Sequence, residues 1–310
     1  MKVVKAVVPY SHGINFKMQV YDAWVKAGGQ TMRSHYPWRM FHRFAFDYEL
    51  PTIHKSKNIA QLRFVEPVSI NFDTFPDYVR YEIIPFIWDC WPRYFDKTCE
   101  WFKRHGVKTA IFTSSQTAER MRQRFPEMNI YWCPEGIDTS RYAEGKELKE
   151  RQIDLLEFGR TNDKVFKAAL PPKVKHVCTL QDGKYIYTNE ELFRAMGDAK
   201  VTITLPRSIT QPEIAGDVET LTQRYWECML SRMVMVGHAP KELVELIGYN
   251  PVIEINHNDS DGQICHILNH ITDYKNLTDR NRETALLKGG WDTRMKGVMT
   301  FLTGNGYNIN

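Results

Sequence analysis

Between residues 80 and 137, apolar and polar positions alternate with two periods in turn, and each change of period marks a new element. Residues 82–88 (EIIPFIW) are an apolar run of strand length. Residues 93–105 (RYFDKTCEWFKRH) then space Phe95, Cys99 and Phe102 three and four apart, the stripe of an amphipathic helix, and Gly106 follows as its cap. Residues 109–113 (TAIFT) read as a second buried strand, 115–125 as a helix opened by a serine cap, and 129–133 (NIYWC) as a third strand. Strands alternating with helices of this length predict βαβ units and a parallel sheet.

A charged segment, 144–151 (EGKELKER), interrupts the pattern and reads as the interdomain linker region. The rhythm then resumes. Strands are predicted at 153–158, 174–180, 200–205, 233–237 and 251–255, with helices at 190–196, 221–230, 241–247, 260–275, 279–287 and 291–303. This half makes a complete doubly wound α/β unit. The opening MKVVKAVVPYSHG reads as a first strand, because its apolar stretch is too short for a signal peptide. After a helix at 21–27, Pro37, Pro51, Pro67 and Pro76 punctuate weak periodicity, which predicts an irregular, loop-rich insertion over 30–80. The expected divisions are 1–148, 149–288 and a terminal segment 289–310.

Composition narrows the chemistry. A chain of 310 residues is long enough for two domains with their own cores, and 43% hydrophobic with 25% charged residues argues against long disorder. The net charge of +4 suits a phosphate-bearing partner or an anionic membrane surface, and a 13% aromatic share suits stacking on bases and sugar rings. Six scattered cysteines without C-x-x-C speak against a zinc site or a disulfide scaffold. With no apolar run of membrane-spanning length, the expected place is the cytoplasm, peripheral at most at the inner face of a membrane. The first strand is not followed by G-x-G-x-x-G, and the chain has no G-x-x-x-x-G-K-[ST], H-E-x-x-H or G-x-S-x-G, which removes most support for dinucleotide redox, P-loop and hydrolase chemistry. Asp259-Ser-Asp261 has the spacing of a metal-binding carboxylate pair but lies in an Asn/Asp loop, where turn chemistry is the better reading. No metal ligand set is assigned.

Three features of the second half remain. The strand at 153–158 delivers Gly159-Arg160-Thr-Asn-Asp-Lys164 at its carboxyl end, where open parallel sheets bind ligands. Arg160 and Lys164 there can neutralise a diphosphate, with a solvated basic loop as the alternative. Glu219 and Glu227 stand eight residues apart around a helix start near Thr222, whose first N–H groups point toward an incoming anion. A carboxylate at 227 can accept the hydroxyls of a ribose, and one at 219 can reach the transferred sugar. Trp226, Cys228 and Met229 put Glu227 in a half-buried setting that demands a partner. Finally, the helix runs straight into strand 233–237 and His238-Ala-Pro-Lys-Glu-Leu, the rhythm expected beside a nucleotide cleft.

These residues resemble GT-B glycosyltransferases of the family 4 type, in particular the branch related to spore-maturation glycosyltransferases. The likeness rests on CPEGID (133–138), FGR (158–160), the E-x7-E spacing at 219 and 227 within ETLTQRYWECMLSRMVMVGHAPKEL (219–243), and GWDTRMK (290–296), and it covers roughly 80–303. It implies two Rossmann-like doubly wound parallel-sheet domains facing a cleft, with a C-terminal helix crossing back to the N-terminal, acceptor-binding domain. It further implies a UDP- or GDP-sugar as co-substrate, no metal requirement and usually retention of configuration. Arg160 and Lys164 would hold the diphosphate with the backbone of Leu221, Thr222 and Gln223, assisted by Arg224; Glu227 would bind the ribose, Glu219 the transferred sugar, and Leu180 would line the base pocket. Where the family reads E-G-F-G, this chain reads Glu219-Thr-Leu-Thr222, without glycine's freedom of approach.

The acceptor side speaks more softly. Where the family often presents a histidine, the strand end reads Trp88-Asp89-Cys-Trp91, making Asp89 a candidate acceptor-side or sugar-contacting group, with helix capping before Pro92 as the alternative. His12 follows the first strand and is the better candidate among the N-terminal histidines. Residues 33–44 (RSHYPWRMFHRF) interleave Arg33, Arg39 and Arg43 with aromatics, which suits sugar stacking, an anionic membrane, nucleic acid, or a partly buried loop. The favoured acceptor is a surface polysaccharide or lipid-linked glycan; a modified base in DNA, as in phage glycosyltransferases, and a non-catalytic nucleotide-sugar-binding role are the alternatives.

Overall fold

Strand runs that are apolar at every position need cover on both faces, and the chain supplies it twice over. The computed structural model describes residues 1–9, 16–34, 51–52, 56–159, 166, 170–181 and 184–309. They pack as two compact units: Met1–Glu135 with Ile214–Val218 and Trp291–Asn310, and Gly136–Glu213 with Glu219–Gly290. Among the described residues, no helix is long and apolar enough to cross a membrane.

In the first unit the strands are β1 (Lys2–Val7), β2 (Gln30–Met32), β3 (Ile59–Val65), β4 (Glu82–Ile87), β5 (Thr109–Phe112), β6 (Asn129–Trp132) and the last strand of the chain, Tyr307–Asn308. That last strand pairs with β1, and the order continues β1-β3-β4-β5-β6, with β2 also on β1 and every pairing parallel. Alternate residues face opposite layers. Leu62, Phe64, Ile84 and Phe86 pack with Trp24 of helix Phe16–Lys26 and with Trp291, Met295 and Val298 of helix Trp291–Gly304. Ile83, Ile87, Ala110 and Phe112 pack on the other side with Trp101 and Phe102 of helix Pro92–His105, which ends on a left-handed Gly106.

The expected loop-rich insertion over 30–80 needs correction here. β3 lies inside the sheet between β1 and β4, and a further helix follows at Ile70–Thr74. The strand escapes notice in the sequence because Gln61 and Arg63 break its apolar run. Both are buried, and the Arg63 guanidinium is paired with Asp77 at 2.7 Å.

The second unit carries β7 (Ile153–Glu157), β8 (His176–Cys178), β11 (Ala199–Thr204), β12 (Val234–Gly237) and β13 (Ile253–Glu254) in the parallel order β13-β12-β11-β7-β8; β9 (Leu180–Gln181) and β10 (Lys184–Tyr185) form a separate antiparallel pair. Leu156 and Met235 face one core layer and Leu155, Val201 and Val234 the other. The strand expected over 174–180 is shorter than its apolar run: the chain leaves the sheet at Thr179, whose N–H still bonds the Glu157 carbonyl, and Leu180 begins the small hairpin.

The charged segment 144–151 also differs from expectation, since it packs inside the second unit. Arg151 is buried and donates to the carbonyls of Lys146, Ala199, Ser231 and Glu144 at 2.7–3.1 Å. Burial, and next the charge of Arg232, push its pKa down to about 10. Arg232, itself buried with φ 54°, pairs with Glu144, Glu147 and Asp279. A left-handed arginine costs about 1 kcal/mol, which these ion pairs offset.

Replacing Arg151 by Ala strands buried carbonyls in three separate segments, and a cost of about 3 kcal/mol is expected for the second unit. Denaturant unfolding followed by fluorescence measures it; a loss below about 1 kcal/mol contradicts the anchoring role.

Candidate functional site

All pairings in the five-stranded sheet are parallel, so the carboxyl ends of its strands share one edge. Gly159 follows β7, Thr179 and Leu180 follow β8, and His238 follows β12, while Glu254 ends β13. Gly237 lets β12 end as it does: at φ 148°, a Cβ there would lie 1.9 Å from the Thr204 carbonyl oxygen. The helix Gln223–Leu230 leads into β12, and its buried face, Tyr225, Trp226, Cys228 and Met229, locks it into the core.

The start of that helix has Thr222 as its N-cap, without a side-chain capping bond. Gln223 Nε2 donates to the Gly136 carbonyl at 3.1 Å, fixing the entry of the chain. Arg224 lays its guanidinium over the Phe158 ring, 5.4 Å from the centroid. It also lies close over Gly159, where a Cβ would fall 1.9 Å from Nη2 and where the backbone is left-handed at φ 77°. The left-handed backbone favours glycine there, and its missing side chain leaves the guanidinium room to lie over it. Phe158, Gly159 and the helix start are thereby brought together by Arg224.

One turn on, Glu227 is half-buried and accepts a hydrogen bond from the Tyr142 hydroxyl at 2.9 Å. Burial pushes its pKa up, and the Tyr142 bond followed by the Arg224 charge pull against that. Tyr142 has its own pKa raised by burial and by the adjacent carboxylate.

Glu219 faces His238 instead. His238 Nε2 lies 3.3 Å from Glu219 and its Nδ1 lies 3.0 Å from Glu254, so the imidazole bridges two carboxylates. Burial works to lower its pKa, but the hydrogen bond and charge of Glu254, with the charge of Glu219, win and raise it. Tyr225 donates to the His238 carbonyl at 2.8 Å, tying this group to the helix.

The structure departs from expectation at Leu221. Its side chain is core and its N–H donates to the buried carboxylate of Glu242, so this amide is already engaged rather than open to a diphosphate. Leu180 is half-buried in the hairpin after β8. Asp89 follows β4 in the first unit at φ 51°, and its carbonyl accepts from Trp91. The helix-capping alternative for Asp89 is not what the structure holds, because the N-cap of Pro92–His105 is Trp91. In the Asp259-Ser-Asp261 loop, Asp259 caps helix Ser260–Asn269 by accepting from the Gly262 N–H at 3.0 Å. His12, Arg160, Lys164 and residues 35–44 of the basic aromatic stretch lie outside the described residues.

Comparison with solved structures gives the fold. Anabaena HepE in complex with UDP and glucose is similar with a TM-score of 0.64 at 9% identity, over 98% of this chain and 100% of that one. A sucrose-phosphate synthase from Thermosynechococcus elongatus is similar at 0.59 and 11%, over 98% and 99%. A glycosyltransferase from Rickettsia africae is similar at 0.54 and 10%, over 98% and 99%. The chain has a GT-B fold. No protein-family model and no curated protein matches the sequence.

Sequence reasoning does not assign the roles of four residues of the site. Tyr142 stands 85 positions from Glu227, and Glu242 meets Leu221 only through the tertiary fold. His238 follows the end of β12 and Glu254 ends β13, which is the cue that points to them.

The raised pKa of His238 carries a sign. Its contribution to stability is complete below its unfolded value, near 6.5, and is lost as pH rises through the higher folded value. Wild type should therefore exceed His238→Gln in thermal midpoint most at pH 5.5–6.5, with the gap closing as pH rises through the folded value. A gap that is constant or widens with pH contradicts the bridged imidazolium.

Proposed function

We propose that the chain is a glycosyltransferase that moves a sugar from a nucleoside-diphosphate sugar to an acceptor hydroxyl. The observation that carries the reading is the pairing of Arg224 and Glu227 at the carboxyl edge of a parallel sheet. A cation packed on Gly159 stands one turn from a half-buried carboxylate held by Tyr142. A diphosphate and a ribose need those two groups in that order along a helix start. Support comes from the shared fold of HepE, whose solved complexes hold UDP, UDP and glucose, and UDP-glucose.

In this reading Arg160, Lys164 and Arg224, with the backbone at Thr222 and Gln223, neutralise the diphosphate as it leaves. The cationic side chains and the helix start do the work that a divalent ion would otherwise do. The bond from the anomeric carbon to the phosphate oxygen breaks, a bond from the acceptor oxygen to that carbon forms with retention, and the acceptor proton departs with the leaving diphosphate. Glu227 binds the ribose, Glu219 the transferred sugar, and Leu180 the base. Asp89 and His12, in the N-terminal acceptor-binding half, serve the acceptor, for which a surface polysaccharide or lipid-linked glycan at the inner face of a membrane is the class proposed. His238 adds a feature of its own: it bridges Glu219 to Glu254 and so orients Glu219.

A thermal-shift series with UDP-, GDP-, ADP- and CMP-sugars tests this. One sugar nucleotide should stabilise the protein by about 2.7 kcal/mol at a hundredfold excess over its Kd. Glu227→Ala should abolish the shift at the same concentration. No shift with any of the four, or an unchanged shift in Glu227→Ala, counts against the reading.

A further inference from the structure

We propose that Tyr142 is the positioning residue of the nucleotide site, holding one oxygen of the Glu227 carboxylate so that the other is presented to the ribose hydroxyls. The inference rests on the reading of Glu227 as the ribose-binding group and adds how that group acquires its orientation. A glutamate side chain turns easily about its terminal torsion, so a carboxylate that must meet two vicinal hydroxyls gains from having that torsion fixed beforehand.

The geometry supplies the fixing. The Tyr142 hydroxyl donates to Glu227 Oε1 at 2.9 Å, and among the described residues Oε2 has no hydrogen-bond partner. One oxygen is spent on the protein and the other is left for a ligand. The tyrosine ring is itself held: it is 7% exposed and packs edge-on against Phe193, with centroids 5.0 Å apart. Its carbonyl accepts from Arg282 at 3.5 Å. Nine residues on, Arg151 bolts the same segment to the carbonyls of Ala199 and Ser231. A phenol pinned in this way has one place to put its proton.

The hydroxyl has a second effect. Glu227 is desolvated, and the Tyr142 bond with the Arg224 charge favours its ionised form against that burial. Removing the hydroxyl should loosen the carboxylate and make it easier to protonate. A protonated Oε2 is a poorer acceptor for sugar hydroxyls, so affinity should fall off at a higher pH.

Isothermal titration of the full chain with UDP, GDP and their 2′,3′-dideoxy counterparts, from pH 5 to 8.5, separates the possibilities. Wild type should prefer the ribose form of the nucleotide it binds, and Glu227→Gln should remove most of that preference. Tyr142→Phe should cut the preference about tenfold, the scale of a lost hydrogen bond to a charged group, while leaving the dideoxy affinity near wild type. Its loss of affinity on acidification should begin at higher pH than in wild type. If Tyr142→Phe weakens ribose and dideoxy forms alike, or changes neither while Glu227→Gln removes the preference, the positioning role is overturned and the Glu227 reading stands. If Glu227→Gln keeps the preference, or neither diphosphate binds wild type, the underlying reading falls and takes this inference with it.

Discussion

The carboxylate at position 227 sits at the margin of an apolar core, and much of the second unit is packed around it. Trp226, Cys228 and Met229 anchor the helix by burial, which desolvates Glu227 at the same time. A phenol from one direction and a guanidinium from another favour the ionised form against that burial. Each of these has its own requirement. Arg224 lies where a side chain at 159 would stand, and Tyr142 needs the segment behind it to be rigid. The buried Arg151 and the ion-paired Arg232 supply that rigidity by tying residues 144–151 to β11 and to the turn before β12.

The sheet topology explains why so little sequence is needed to keep this arrangement. Parallel strands with common carboxyl ends deliver Gly159, Leu180, His238 and Glu254 to one edge whatever the identity of the buried residues. Proteins of the same fold at 9–11% identity are the expected consequence, because the pattern of burial is retained while individual side chains drift. The local differences are then informative. In Glu219-Thr-Leu-Thr222, Thr220 and Leu221 are buried and the Leu221 amide is satisfied by Glu242. On the proposed reading, Thr222, Gln223 and Arg224 are the groups that face the diphosphate.

What could be read from the sequence follows the same physics. Strands β4, β5, β7, β11 and β12 announce themselves because they are largely buried on both faces and mostly apolar or β-branched. β3 does not, since Gln61 and Arg63 look solvent-facing until Asp77 is brought beside Arg63 by the fold. The charges of 144–151 likewise read as a linker because the partners of Arg151 lie 48 and 80 residues away. Within the site, Glu227 was visible from its spacing and its apolar neighbours. The identity of its partner was not, and neither was the bridge from His238 to Glu219, because a hydrogen bond between distant segments leaves no periodicity. His12, Arg160 and Lys164 rest on sequence alone.

The central claim concerns where a nucleotide sits, and a crystal structure of the chain with a nucleoside diphosphate bound tests it most directly. The account predicts a diphosphate against Arg224 and the start of helix Gln223–Leu230, with a ribose hydroxyl within hydrogen-bond distance of Glu227 Oε2 while Tyr142 remains on Oε1. A nucleotide bound elsewhere, or a ribose that leaves Glu227 untouched, would contradict it.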